Sequence, residues 1–174
     1  PSFLNGHGWL EERSMIQVDV QHSGGTNGKQ ESTGYHALND VVLGRGAVAR
    51  VIRVQVSIDG AYLTSYRSDA ILICTATGST GYNLSAGGPI LHPSMEAFIA
   101  TPICPHSLTL RPVVVPGNQS ITVQVVAEHT DIMVTADGQT LSPLLPNSKL
   151  VIHKAPQATR LINLEGLPFY QLLR

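Results

Sequence analysis

Short apolar runs with a period of two, each stopped by glycine, proline, asparagine or aspartate, recur from one end of this chain to the other. Ile16, Val18 and Val20 alternate with Gln17 and Asp19, and residues 51–58 alternate valine and isoleucine with Arg53, Gln55 and Ser57. Alternation of this kind sets one face of an extended segment on a core and the other toward solvent. Further runs of strand character are Tyr35–Leu43, Ala61–Tyr66, Ala70–Cys74, Leu108–Val115, Ile121–Ala127, Ile132–Ala136, Lys149–His153 and Arg160–Leu164. Turn signals fall at Asp59-Gly60, Pro116-Gly117-Asn118, Asp137-Gly138 and Pro146-Asn147. Asp-Gly between two such runs is a strong hairpin signal. Residues 96–103 suit helix or strand by pattern alone. The spacing predicts a mainly β fold, a two-sheet sandwich or barrel-like sheet pair, with one or two short helices.

One strand candidate differs from the rest. Ala70-Ile71-Leu72-Ile73-Cys74 is apolar without interruption and suits a buried strand. It breaks into Thr75-Ala76-Thr77-Gly78-Ser79-Thr80-Gly81-Tyr82-Asn83-Leu84-Ser85-Ala86-Gly87-Gly88. Residues 79–86 are expected to form one or two helical turns, ended by Gly87-Gly88-Pro89, because Pro89 cannot continue a helix. A break of this kind leaves backbone N–H groups free and is a natural place to hold a nucleotide. Tyr82 offers an aromatic face to a base or ring. Without further context a helix cap is the better reading of the same serines and threonines, since Ser and Thr cap helices routinely. Ser23-Gly24-Gly25-Thr26 looks faintly like a phosphate loop but lacks the lysine and the following helix, and reads as a hairpin loop.

Composition narrows the possibilities. The chain has 174 residues, enough for one domain, and 43% are hydrophobic, enough for a real core. Charged residues are only 13%, low for a fully solvated surface, so part of that surface is expected to be covered by another domain or a sister subunit. Net charge is −1, which argues against nucleic acid as a partner. No apolar run approaches the ~20 residues that span a bilayer, so no membrane is expected. Cys74 and Cys104 sit in apolar contexts and are expected to be buried thiols in a reducing compartment. No CxxC or HExxH pattern marks a metal site.

The segment around Thr77-Gly78-Ser79-Thr80 closely resembles the Thr-Pro-Thr-Gly-Ser-Thr-Ala-Tyr signature of NAD kinases. The similarity continues through Ser85–Ile90, His92-Pro93-Ser94, Thr101–His106 and Arg111-Pro112, and ends with Asp137-Gly138-Gln139. The resemblance begins near Trp9–Arg13 and covers only the family's second half, so residues 1–174 are expected to form one carboxy-terminal domain that binds NAD and forms oligomers. The amino-terminal α/β domain and its Gly-Gly-Asp-Gly-Thr motif are absent from these residues. That motif carries the family's catalytic carboxylate, so no catalytic residue is expected in this chain. Alone it is expected to bind NAD weakly or not at all and to lack kinase activity.

The resemblance implies an activity for the intact protein: transfer of a phosphoryl group from ATP, or polyphosphate, to the adenosine-ribose 2′-hydroxyl of NAD, giving NADP. Mg2+ or another divalent metal is implied as cofactor. A homodimer or homotetramer and a cytoplasmic setting are also implied. The residues carried over as NAD contacts are Thr77, Thr80, Gly81, Tyr82 and Ser85. Asn39-Asp40 matches the family's Asn-Glu pair, where a carboxylate beside an amide can hold ribose hydroxyls and an adenine edge. Asp69 and Cys104 match further pocket positions, and Asp137, Gly138 and Gln139 a loop near the site at a subunit contact. Four departures stand out: Ala76 for proline, Gly81 for alanine, Asp40 for glutamate and, after Asp69, Ala70 for glycine. Taken alone, Asn39-Asp40 suits a turn or strand end, Asp69 a solvated turn charge, Cys104 a buried thiol and Asp137-Gly138 an ordinary hairpin. His92 and His106 are expected to brace loops, Arg111 to pair with a carboxylate, and the apolar tail Pro168–Arg174 to dock on a surface. The alternative function is a non-catalytic β-sandwich module that binds a nucleotide or a partner protein.

Overall fold

The computed structural model describes residues 6, 8–22, 32–45, 51–126, 132–164 and 167–173. The loop reading at Ser23–Thr26, and the ends of two predicted segments, Ala127 and Arg174, lie outside the described residues. The described strands are β1 (Trp9–Gln21), β2 (Ser32–Ala37), β3 (Asp40–Arg45), β4 (Ile52–Ile58), β5 (Ala61–Ser68) and β6 (Ala70–Thr75). They continue with β7 (Ala97–Ile103), β8 (Val113–Pro116), β9 (Ile121–Val125), β10 (Ile132–Ala136), β11 (Gln139–Leu144) and β12 (Lys149–Asn163). One helical turn, α1 (Tyr82–Ser85), follows a 3-10 turn at Thr77–Thr80.

The strands form two six-stranded sheets, ordered β2-β1-β12-β9-β4-β5 and β11-β10-β3-β6-β7-β8. The described pairings are antiparallel. Alternate side chains from each sheet meet in one core. Ile16, Val18, Val20, Val54, Val56, Val123 and Ile152 come from the first sheet, and Val41, Leu43, Ile71, Ile73, Phe98 and Val134 from the second. The two-sheet β architecture is therefore the one the alternation predicts. Residues 96–103, ambiguous by pattern, resolve as β7. Among the described residues no helix is long and apolar enough to cross a membrane.

Three boundaries differ from the sequence reading. Tyr35–Leu43 is not one returning strand: the chain leaves β2 in the first sheet, bends at Leu38-Asn39, and enters β3 in the second. Lys149–His153 and Arg160–Leu164 merge into the single β12, which continues through Pro156. Proline cannot donate to a ladder, and β1 slips register between Ser14 and Ile16, opposite that residue. In Leu108–Val115 only the last third is strand, because Arg111 ties residues 108–110 into a loop by donating to the carbonyls of Leu108 and Leu110 at 2.7 and 2.9 Å. Arg111 thus binds carbonyls, where a carboxylate partner was expected.

β6 is buried along its whole length. Ile71 and Ile73 face the inter-sheet core. Leu72 and Cys74 face the opposite way, into a second cluster with Ala76, Leu91, Ala97 and Ile99. The segment after β6 folds back as a cover over the outer face of its own strand, which is why both faces of this strand are apolar.

Candidate functional site

Thr75 joins the end of β6 both to the bend before β3 and to the turn that follows it. The Thr75 amide donates to the Asn39 carbonyl at 2.9 Å. The Thr75 hydroxyl donates to the Leu38 carbonyl at 2.7 Å and accepts from the Gly78 amide at 3.1 Å. A Cβ on Gly78 would overlap the Asn39 carbonyl, so glycine is needed there for close approach. Asn39 and the 77–80 turn are neighbours for this reason, although 36 or more residues of chain separate them.

The loop that follows divides into an inner and an outer set. Ser79 is buried; its hydroxyl donates to the Ala76 carbonyl at 2.6 Å and accepts from the Leu91 amide at 3.0 Å. Asn83 is buried too, and its side chain is fully engaged. It donates to the carbonyls of Ser79 and Pro89 at 3.0 and 2.9 Å and accepts from the Thr101 hydroxyl at 2.7 Å. Thr101 opposes Leu72 in the β6–β7 ladder, so Asn83 anchors α1 over the middle of those strands. The outer set is Thr80, Gly81, Tyr82, Leu84 and Ser85, all exposed, with Thr77 half-buried. Tyr82 presents 48% of its surface and Leu84 47%. The predicted contacts Thr80, Gly81, Tyr82 and Ser85 thus share the outer side with an apolar Leu84 that the sequence reading does not single out. Asn83 was not among the residues singled out, because its partner Thr101 is 18 positions away and nothing local announces it.

Four of the loop amides, those of Gly78, Ser79, Gly81 and Leu84, are spent on partners inside the loop and are not free for a ligand. The side chains presented outward are the hydroxyls of Thr80 and Ser85, the Tyr82 ring and Leu84. The cap alternative holds for Thr75, whose hydroxyl receives the Gly78 amide. The positions immediately before the two turns, Ala76 and Gly81, make no side-chain cap. A methyl on Gly81 would make an ordinary 3.4 Å contact with the Gly78 carbonyl, so the departure from alanine leaves the backbone path open.

Asp40 opens β3 on the outer face of the second sheet, opposite Cys74 in the ladder. It is only 9% exposed. Burial, and then the charge of Asp137, hold its carboxyl above the ordinary carboxylate value. Burial, with Asp40 adding to it, pushes the Cys74 thiol up to about 12, so Cys74 stays protonated and inert. Asp137 and Gly138 form the hairpin turn between β10 and β11, with φ of 47° and 76°, and Gln139 begins β11. The Asp137 carboxylate turns back onto the bend. Oδ2 accepts from the Leu38 amide at 2.7 Å, and Oδ1 from the amides of Asn39 and Asp40 at 2.8 and 3.1 Å.

Asp69 and Cys104 stand apart from this group. Asp69 lies before β6 and donates its amide to the Ile103 carbonyl at 3.0 Å, which puts it beside Cys104. Both are exposed. The length of β6 separates them from Asn39, which lies beside Thr75; six residue steps from Asp69 to Thr75 at ~3.3 Å each are about 20 Å. Cys104 is therefore no buried thiol. It sits at φ 48° in the turn leaving β7, where its side chain has no core to enter. His92 does brace its loop, through Ser94 Oγ at 2.7 Å. It also receives the tail, with Phe169 and Tyr170 ring centroids at 5.0 and 5.7 Å. His106 is held through its backbone, donating to the Arg67 carbonyl at 2.8 Å. Among the described residues no three His, Cys, Asp or Glu side chains converge to hold a metal ion.

Comparison with known proteins agrees with this architecture. A family profile describing the ATP-NAD kinase C-terminal domain matches residues 38–164. The chain is 41% identical over 171 residues to an NAD kinase of Geotalea daltonii, covering 98% of this chain and 58% of that protein. It is 41% identical over 169 residues to one from Magnetococcus marinus, covering 97% and 54% respectively. The chain thus spans about half the length of the curated relatives it matches. Among solved structures, a yeast NADH kinase complexed with NADH superposes with a TM-score of 0.84 at 26% identity, covering 93% of this chain and 46% of that one. An Archaeoglobus fulgidus NAD kinase in complex with ATP gives 0.74 at 26% identity, covering 94% and 58%.

Proposed function

The chain belongs to the NAD kinase family, and from that premise we propose that it supplies the dinucleotide-binding wall of a protein that makes NADP from NAD. In the intact protein the adenosine-ribose 2′-oxygen bonds to the γ-phosphorus of ATP, or to a terminal phosphorus of polyphosphate. The bond from that phosphorus to its bridging oxygen breaks, and a carboxylate outside this chain takes the hydroxyl proton. Mg2+ on the phosphate chain would neutralise charge. It needs few protein ligands beside the phosphates themselves, and the described residues offer no closed cage for it. The work of this chain is placement. Thr77, Thr80 and Ser85 offer hydroxyls, Tyr82 a ring face, Gly81 clearance, and Asn39 and Asp40 the amide and carboxylate for a ribose or base edge.

One observation carries this reading. The loop spends its buried polar groups on itself and leaves Thr80, Gly81, Tyr82 and Ser85 outward, beside Asn39. Asp69 and Cys104, at the far end of β6, reach the other half of an extended dinucleotide or a ligand held by a second copy in a homodimer or homotetramer. The two free thiols suit a cytoplasmic setting. The test is calorimetric titration of the intact protein with NAD, NADP and ATP, wild type against Thr80→Val with Tyr82→Ala. The pair should weaken NAD binding about tenfold or more, the loss of one hydrogen bond and one stacking face, while NADP formation falls in step. Unchanged NAD binding would remove the loop from the site. No NAD binding by the wild type would favour a non-catalytic module.

A further inference from the structure

The bend at Leu38-Asn39-Asp40 is clamped from two sides. Asp137 takes the three consecutive amides of the bend, and Thr75 takes its carbonyls. The bend is also where the chain passes from one sheet to the other; Asp40 pairs with Cys74 in the β3–β6 ladder, but Leu38 and Asn39 belong to neither sheet's ladder. An unanchored bend could aim the Asn39 side chain over a wide arc. The amide of Asp137 in turn donates to the Asp40 carbonyl at 2.9 Å, which closes the clamp on β3. Gly78 abuts the Asn39 carbonyl from the loop side. The clamp therefore sets the position of Asn39 and Asp40 relative to Thr77 and Thr80.

We propose that Asp137 is a positioning residue for dinucleotide recognition: within its own chain, its carboxylate fixes the backbone of residues 38–40 and so aims Asn39 and Asp40 at the ligand. This rests on Asn39 and Asp40 being ligand contacts. It assigns Asp137 a task that the hairpin turn alone does not require. A turn of this type asks only for residues that tolerate positive φ, and Asp137 at φ 47° would be replaced in that respect by asparagine or glycine.

That difference supplies the experiment, made on the intact protein with steady-state kinetics. Asp137→Asn keeps the turn and one oxygen, able to accept the amides of Asn39 and Asp40. Asp137→Gly keeps the turn and removes every acceptor. Asp137→Gly should raise KM for NAD about tenfold, with KM for ATP and kcat within about twofold, and Asp137→Asn should fall between it and wild type. A merely structural turn would leave both variants like wild type, or would lower kcat and stability together; either result overturns the proposal. The coupling is read in a double-mutant cycle with Asn39→Ala. Once Asn39 is removed, Asp137→Gly should add little further loss. Fully additive losses would show that Asp137 acts on the ligand or on a neighbouring subunit directly, and would also overturn it. If Asn39→Ala alone leaves KM for NAD unchanged while Asp137→Gly raises it, the reading of Asn39 fails and the proposal falls with it. That outcome is distinct from the failure of the clamp.

Discussion

Asp40 carries a charge that its surroundings oppose. The carboxyl is buried beside Asp137, and its pKa lies above the ordinary value. Between the unfolded and folded values the native state binds more protons than the unfolded chain, so this group's contribution to stability falls as pH rises through that window. Asp40→Asn removes the penalty. The variant should melt higher than wild type at neutral pH, by about 2–4 °C for each kcal/mol relieved. The two should converge at a pH low enough to protonate Asp40 in both states. Thermal melts across pH read this directly, and a lower Tm at neutral pH would contradict it. Weaker NAD binding in the same variant would show that the charge is retained for the ligand. The Asn39-Asp40 pair was legible as chemistry, since an amide beside a carboxylate is visible in any sequence. The burial of Asp40 was not legible, because it depends on Cys74 and Asp137, which arrive from β6 and the β10–β11 turn.

At the scale of elements, β6 and its return loop form one unit. The unbroken apolar run of Ala70–Cys74 announced a buried strand, and the loop over Leu72 and Cys74 supplies its second covered face. Asn83 holds that cover in place through three hydrogen bonds. Asn83→Ala would leave the buried Thr101 hydroxyl without its acceptor and two carbonyls without donors, a cost of about 1–3 kcal/mol. Hydrogen exchange should then speed up at the amides of residues 79–88 while the amides of β9 stay protected. Equal loss in β9 would show that loop and sheet open together. The two-residue turns were read correctly because Asp-Gly states its own backbone requirement, seen in φ values of 47° and 80° at Asp59 and Gly60. The sheet change at Leu38-Asn39 was missed. An alternating run looks the same whether it pairs in one sheet or divides between two.

For the whole molecule, the chain spans about half the length of the relatives it matches, 58% and 54% for two of them. The residues described here should therefore fold as the sheet pair yet form no NADP alone; purified chain supplied with NAD, ATP and Mg2+ and assayed for NADP should give none. Steady turnover would show that a catalytic carboxylate lies within it after all. The sequence by itself determined the β architecture, the hairpin turns and the membership of a family, because side-chain alternation, Asp-Gly pairs and an ordered motif are properties of neighbouring residues. The tertiary structure alone decided which hydroxyls of the Thr75–Ser85 segment face inward and which outward. It also placed Asp137 under Asn39 and set Asp69 at the far end of β6. These depend on strands crossing between two sheets, where hydrogen bonds join residues about a hundred positions apart, as from Asp137 to Leu38 with 99 between their numbers. Local pattern carries no record of such pairings; backbone groups left without a partner when the sheets close are what select them.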